Sequence, residues 1–424
     1  MSLPARTDTV VVGAGQAGLA MSRYLSVGGR DHVVLERRAT LGGGWQDRWD
    51  EFCLVSPNWI ASFPGDPYDG DDADGFMLRD EIAARVAGYA AKVKAPVSLE
   101  TTVERVTTTS EGFTVRTSQG EIAARNVVVA IGGFHKPKIP GAAASLSPRL
   151  LSIHSHDYRN AAALPVGGVL VVGSAQSGVQ IAEELAEAGR EVYLSVGTAG
   201  RLPRRYRGRD CFRWLVGLAT YGPQLGIALP SVDRLPDPRI RVAGNAHLSG
   251  HNGGHDTNLR KMALDGMTLV GRLQSIDGET IQFAPDLSTN LAKADALFDE
   301  RFRPQMDRLI EHLGIDAPPD DRVSYDYEPP EVSVLNLLDR GISTVLWTTG
   351  YERDYGWIDP STVDDMGFPR QTRGVSELPG LYFLGALWQH TMVSATLGGP
   401  GIDGRDLAIS MGLTIPEEPP LFAI

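Results

Sequence analysis

Two short stretches of this chain carry the residue types and the spacing that cradle a diphosphate. Residues 11–20 read VVGAGQAGLA and residues 171–180 read VVGSAQSGVQ. In the first, Gly13, Gly15 and Gly18 follow a β-branched run and open an apolar pattern at helical spacing. The first glycine permits a tight turn and the second lets backbone approach a pyrophosphate. The third lets strand and helix pack closely, while the helix N-terminus supplies amide donors and positive dipole. Glu36 stands 18 positions past Gly18, where the next β-branched segment ends. A carboxylate there binds both hydroxyls of a ribose and repels a 2′-phosphate. The competing reading is a glycine turn with no ligand.

The second turn, Gly173-Ser174-Ala175-Gln176-Ser177-Gly178, departs from the fingerprint only at its middle glycine. A methyl group there is excluded if φ must be positive and tolerated if φ is negative. The following strand ends in Ser195-Val196-Gly197, with no acid where the first unit has Glu36. Beyond it stand Arg201, Arg204, Arg205, Arg207 and Arg209. Guanidinium forks match phosphate oxygens, and this exchange of acid for base suits a 2′-phosphorylated dinucleotide. Ser195, Arg201, Arg204 and Arg205 are the expected phosphate group. A solvated basic loop is the alternative.

These turns need strands to hold them. Asp8–Val12, His32–Leu35, Val169–Val172 and 191–196 read as buried parallel strands, and each pair encloses a helical pattern. Residues 79–94 read as a helix, and 97–106, 112–117 and 121–131 as strands. Residues 289–314 look helical, 344–347 is another short strand, and a last helix opens in LGGPGIDGRDLAIS. The stretch from Gly42 to about Gly75 carries Trp45, Trp49, Trp59, Phe63 and Tyr68, too apolar for a linker and too irregular for a helix. The fold class is therefore α/β with two Rossmann-like dinucleotide-binding domains. A length of 424 residues agrees, since it exceeds what one core fills.

The bulk numbers narrow the partners. A net charge of -12 argues against general nucleic-acid binding, because neutralising phosphates needs a basic surface. Cys53 and Cys211 form neither a redox pair nor a zinc knuckle by spacing, and fit a reducing compartment. No apolar run is long enough to span a bilayer, and no leader is apparent at the N-terminus. The expectation is a cytoplasmic protein acting on a small-molecule substrate, compatible with a homodimer. His247, His251 and His255 recur at i, i+4 and i+8, but Gly250, Gly253 and Gly254 spoil a helix between them, so a loop is expected and no metal.

The residues after the first turn, Gly42-Gly43-Gly44-Trp45 and then SPNW, resemble the flavin-containing monooxygenase family, in particular a bacterial flavoprotein subgroup. The resemblance runs through nearly the whole chain. In SPRLLSIHSHDY, His154 and Tyr158 keep the spacing of the family's linker motif, although Pro148 and Leu150 stand where a Phe and a Gly are usual. The Tyr ending leans toward N- or S-oxygenation over ketone insertion. LWTTGY, with Thr349 and Gly350, resembles the family's link between domains, and Gly385 with 398–404 the place where the last strand and helix meet FAD.

The resemblance implies FAD at the first turn and NADPH at the second, with the NADPH domain (161–330) inserted into the FAD domain (1–160 and 331–424). NADPH would reduce the flavin, which would capture O2 as a C4a-(hydro)peroxide and pass one oxygen atom to substrate. Gly44, Trp45 and Arg48 would lie near the flavin, Trp45 being equally a core residue. Asn58 would hydrogen-bond the flavin edge or form an Asx turn after Pro57. Trp388 and His390 would line the substrate side or serve structure. Baeyer–Villiger oxidation, an NADPH oxidase releasing H2O2, and a nucleotide-sensing redox partner protein stay open as alternatives.

Overall fold

The computed structural model describes residues 3–227, 230–243 and 246–419. Valine runs of the kind at 10–12 form strands because both faces of a central parallel strand are covered. Strand β1 (Arg6–Val12) lies between β2 (His32–Leu35) and the strand Gly120–Val129, parallel to both, with Val10 opposite Val33 and Val127. Val10 and Val11 are fully buried, worth about 1.5–3 kcal/mol each relative to exposure. Val97–Ser98 extends this sheet beyond β2 and Leu381–Phe383 extends it beyond 120–129, both in parallel. An antiparallel hairpin, Val103–Thr109 with Gly112–Thr117, adds to the 120–129 strand. The expected strand 97–106 is thus two strands, broken where Glu100 takes φ +53°.

Helix α1 (Gln16–Val27) covers one face, and α2 (Arg79–Lys92) follows the aromatic loop. The second unit repeats the plan. Its sheet is wholly parallel, in the order 268–270, 192–195, 168–172, 342–347, 151–154. Helix α3 (Gln176–Glu187) leaves the second glycine turn, and α4 (Cys211–Tyr221) follows the arginine run. The α4 stretch had no helical expectation, yet Asp210 caps it by accepting the Phe212 N–H at 2.8 Å, and Cys211, Trp214 and Leu218 share its buried face. Beyond it lie α5 (Leu259–Leu264), α6 (Leu287–Ala296), α7 (Arg303–His312) and, back in the first unit, α8 (Gly399–Ser410). Tyr24 of α1 donates to the Gly401 carbonyl of α8 at 2.7 Å.

The chain leaves the first unit through Lys136–Pro137 and returns through Tyr351–Glu352, two strands that pair antiparallel. Sheet membership therefore differs from the expected division at 160 and 331. Leu151–His154 and Ile342–Trp347 both belong to the second sheet, where Leu346 and Trp347 are fully buried. In each sheet the strand that precedes the glycine turn has neighbours reached by connections running in opposite directions, which opens a crevice at its carboxyl end. Among the described residues, no helix is long and apolar enough to cross a membrane.

Candidate functional site

The two turns have the same backbone. Gly13 has φ +102° and Gly173 φ +108°. A Cβ on Gly13 would lie 2.7 Å from the Ala130 carbonyl oxygen, and one on Gly173 would lie 2.8 Å from that of Thr348. Gly18 and Gly178 press on the carbonyls of Gly13 and Gly173, where a Cβ would lie at 1.8 and 1.9 Å. At the middle position Gly15 has φ −78° and ψ −174°, and Ala175 has φ −76° and ψ −175°. Both values lie in ordinary extended backbone, so the Ala175 methyl adds no strain. Neither position is capped by a side chain, which leaves the first amides of α1 and α3 facing the crevice.

The units part where the expected discriminator stands. Glu36 is buried, and its carboxylate accepts the Ala14 N–H at 2.9 Å and the Arg38 N–H at 3.0 Å. Two backbone donors thus fix a carboxylate beside the first turn, with lone pairs left for ribose hydroxyls. In the second unit that place is taken by buried Val196. There the Gly197 N–H donates to the Ser174 hydroxyl at 2.9 Å.

Gly42–Trp45 lies against the first turn. A Cβ on Gly43 would stand 3.1 Å from Gly15 Cα, Gly44 has open space, and Trp45 Nε1 donates to Gln16 Oε1 at 3.1 Å. The Arg48 guanidinium sits 6.0, 5.6 and 5.4 Å from the rings of Trp45, Phe52 and Phe134, with its buried Nε unpartnered. Gly385 abuts α1, where a Cβ would lie 2.6 Å from that of Ala17. Asn58 donates its amide to the Asp72 carbonyl at 2.9 Å and its backbone N–H to Gly75, so its side chain ties the SPNW loop to 72–75 and makes no Asx turn. Its buried Oδ1 has no partner. Unpaired buried polar atoms are costly, so Arg48 Nε and Asn58 Oδ1 suit a polar ligand. The residues at the first turn fit a flavin dinucleotide.

Around the second turn, Gln176 makes two bonds with the Leu248 backbone: its amide donates to the carbonyl, and its Oε1 accepts the N–H at 3.1 Å. His247 donates Nε2–H to the Ser174 carbonyl. Burial pushes its pKa down to about 4, so the ring is neutral and its Nδ1 is unpartnered. Ser177 is half-buried in the first turn of α3. Thr349 donates to Lys138, and Gly350, with φ +81°, accepts from His154 Nε2 at 3.0 Å, so both serve the crossing between units. His251 and His255 face Glu187 and Glu183 of α3 at 3.1 and 2.6 Å.

Two members of the expected phosphate group have inward partners in the structure. Ser195 is buried and donates to the Gly271 carbonyl at 2.9 Å. Arg204 is 1 % exposed, paired with Asp210 at 2.7 Å and enclosed by Phe76 and Phe212, because a charge that deep must be neutralised. Arg201 pairs with Asp295 at 2.8 Å, and Arg205 reaches the carbonyls of Gly253 and Gly254 from an exposed position. His390 lies on the loop before α8, and its carbonyl accepts the Val232 N–H of the second unit at 2.8 Å. Trp388, on the same loop, takes φ +55°. Gln16 and the 247–248 backbone had no expected role. The recurrence of Gln three positions past the first glycine of both turns was the available signal.

A family profile described as pyridine nucleotide-disulphide oxidoreductase matches residues 10–207, a span holding both turns. Cys53 and Cys211 are free and buried, and burial pushes both thiols up, to about 11 and about 12. The chain is 33% identical over 404 residues to an uncharacterized CzcO-like oxidoreductase of Geobacillus kaustophilus, covering 94% of this chain and 97% of that one. It is 29% identical over 218 residues to the indole-3-pyruvate monooxygenase YUCCA1 of Oryza sativa, about half of either chain (49% and 53%). Its fold is similar to that of a flavin-containing monooxygenase from Stenotrophomonas maltophilia, with a TM-score of 0.63, 20% identity, and coverage of 97% of this chain and 99% of that one. With two dinucleotide cradles and a relative of this kind along its whole length, the chain belongs to the family of CzcO-like bacterial oxidoreductases, and its fold is that of flavin-containing monooxygenases.

Proposed function

We propose that this protein is an NADPH-consuming monooxygenase that places one oxygen atom of O2 on the nitrogen or sulfur of a small organic substrate. The observation that carries the reading is a pair of turns with matching backbone, of which only the first has a fixed carboxylate, Glu36, at its ribose position. In this reading FAD lies along the first sheet. Gly13, Gly15 and Gly18 admit its diphosphate, Glu36 holds its ribose, and Gly385 keeps α1 close to the last strand. Gly44, Trp45, Arg48 and Asn58 flank its ring. NADPH lies along the second sheet on Gly173–Gly178, with Arg201 and Arg205 the arginines left to meet its 2′-phosphate. When bound, the flavin accepts hydride from NADPH and makes O2 reactive.

The chain's own share is positioning and exclusion of water. Arg48, among the rings of Trp45, Phe52 and Phe134, offers Nε–H and Asn58 offers its buried Oδ1 to a ring beside them. Trp388 and His390, on the loop bonded to Val232, border the substrate side. The relatives' names widen the panel to a 2-oxo acid beside amines, sulfides, ketones and N-heteroaromatics. NADPH consumption and peroxide release are measured together across it. Consumption that rises with an amine or sulfide while peroxide falls supports the proposal. Consumption recovered as peroxide throughout would reduce it to an oxidase, and a response confined to ketones would indicate Baeyer–Villiger chemistry.

A further inference from the structure

Asn58 belongs by sequence to the first unit, yet its loop is gripped from the second. Arg204 donates to the Val55 carbonyl at 2.7 Å and to the Ser249 carbonyl at 3.4 Å, while its other nitrogen pairs with Asp210 at 2.7 Å. Its guanidinium carbon lies 4.9 Å from the ring centre of Phe76 in the first unit and 5.4 Å from that of Phe212 on α4. Arg213, the next residue of α4, stands 4.5 Å over Trp59 and pairs with Asp74 at 2.9 Å. Gln180 of α3 donates to the Cys53 carbonyl at 3.0 Å. The intervening segment is glycine where it touches this loop. A Cβ on Gly250 would lie 2.0 Å from the Leu54 carbonyl oxygen, and one on Gly254 2.7 Å from the Phe76 ring and 2.9 Å from Arg204 Cδ.

We infer that Arg204 is a positioning residue, which fixes the 53–58 loop, and Asn58 with it, against the nucleotide helix of the second unit. The inference rests on the two-cofactor reading for its kinetic consequence and on contacts alone for its structural one. A planar fork is required, because Val55 and Asp210 are engaged by different nitrogens of one guanidinium. Lysine keeps the charge and loses the two separate nitrogens that reach these acceptors. The turn at 173–178 is held by His247 and Gln176, neither of which bonds the Arg204 side chain, so its grip on the nucleotide does not pass directly through Arg204. Displacing one reacting group by about 1 Å costs rate of up to about 100-fold.

The test compares the full-length FAD-loaded protein with Arg204→Lys, with Phe76→Leu, which removes a ring and leaves no charge unpaired, and with Arg260→Met. Arg260 is another buried guanidinium, paired with Asp295 and Glu328 inside the second unit. Amide hydrogen exchange over residues 53–60 is expected to quicken roughly tenfold in the first two variants and not in the third. The rate of flavin bleaching at saturating NADPH should fall about tenfold in both, with the NADPH KM within about threefold of the parent. Unchanged exchange over 53–60 overturns the inference whatever the activity, as does an equal change in Arg260→Met. A parent protein that NADPH does not bleach would count against the cofactor reading, and the exchange result then decides this one.

Discussion

Ala175 and Gly173 show how much one residue decides. The sequence made Ala175 depend on the sign of its φ, and a φ of −76° makes the methyl harmless. Ala175→Gly is expected to leave the NADPH KM within about twofold, since it removes one methyl from extended backbone. Gly173→Ala places a Cβ 2.8 Å from the Thr348 carbonyl at φ +108° and should abolish NADPH-dependent flavin reduction. A steady-state assay of both variants checks the pair, and equal KM rises would contradict it. Glu36→Gln keeps shape and removes charge. A charge-assisted hydrogen bond is worth about 1.5–3 kcal/mol, so FAD titration of the stripped protein should weaken roughly 10- to 100-fold. Turn glycines and the acid were legible because their function is local. The inward course of Ser195 and Arg204 was not, since Gly271, Asp210, Val55 and Phe76 meet them only through the fold.

At the scale of elements, α3 does more than open a nucleotide site. Its outer face docks to the loops through Glu183, Glu184 and Glu187. Glu184 accepts the Tyr158 hydroxyl at 2.8 Å, and burial raises its carboxyl from the usual 4.5 to about 7. The folded state therefore binds that proton more tightly than the unfolded chain. Its contribution is complete below about pH 4.5 and is lost as pH rises to about 7. His247 works in the opposite sense. Its folded value near 4 lies below the ordinary 6.5, so stability falls as pH drops from 6.5 toward 4. Subtracting the parent's melting temperature from that of Glu184→Gln isolates the first effect, and the difference should climb between pH 5 and 7.5. A flat difference would show that Glu184 is not held protonated. The linker motif was visible as His154 and Tyr158. Its partners, the Gly350 carbonyl and Glu184, are 196 and 26 residues away, where no local pattern points.

For the whole molecule, periodicity and valine runs marked the parallel core of each sheet, because a strand buried on two faces leaves a plain record in sequence. The limits of the second unit were less legible. Leu151–His154 and Ile342–Trp347 are short apolar segments that suit either sheet, and only the pairing of Ile342–Trp347 with Gly168–Val172, and of Leu151–His154 with Ile342–Trp347, assigns them. In the proposed function, what unites the two units is the passage of electrons from one cradle to the other and then to oxygen. The most direct test supplies NADPH and 18O2 with an amine or sulfide that accelerates NADPH consumption, and weighs the product. One labelled oxygen atom in the product per NADPH consumed is the predicted result. Unlabelled substrate, with all the label recovered as hydrogen peroxide, would contradict it.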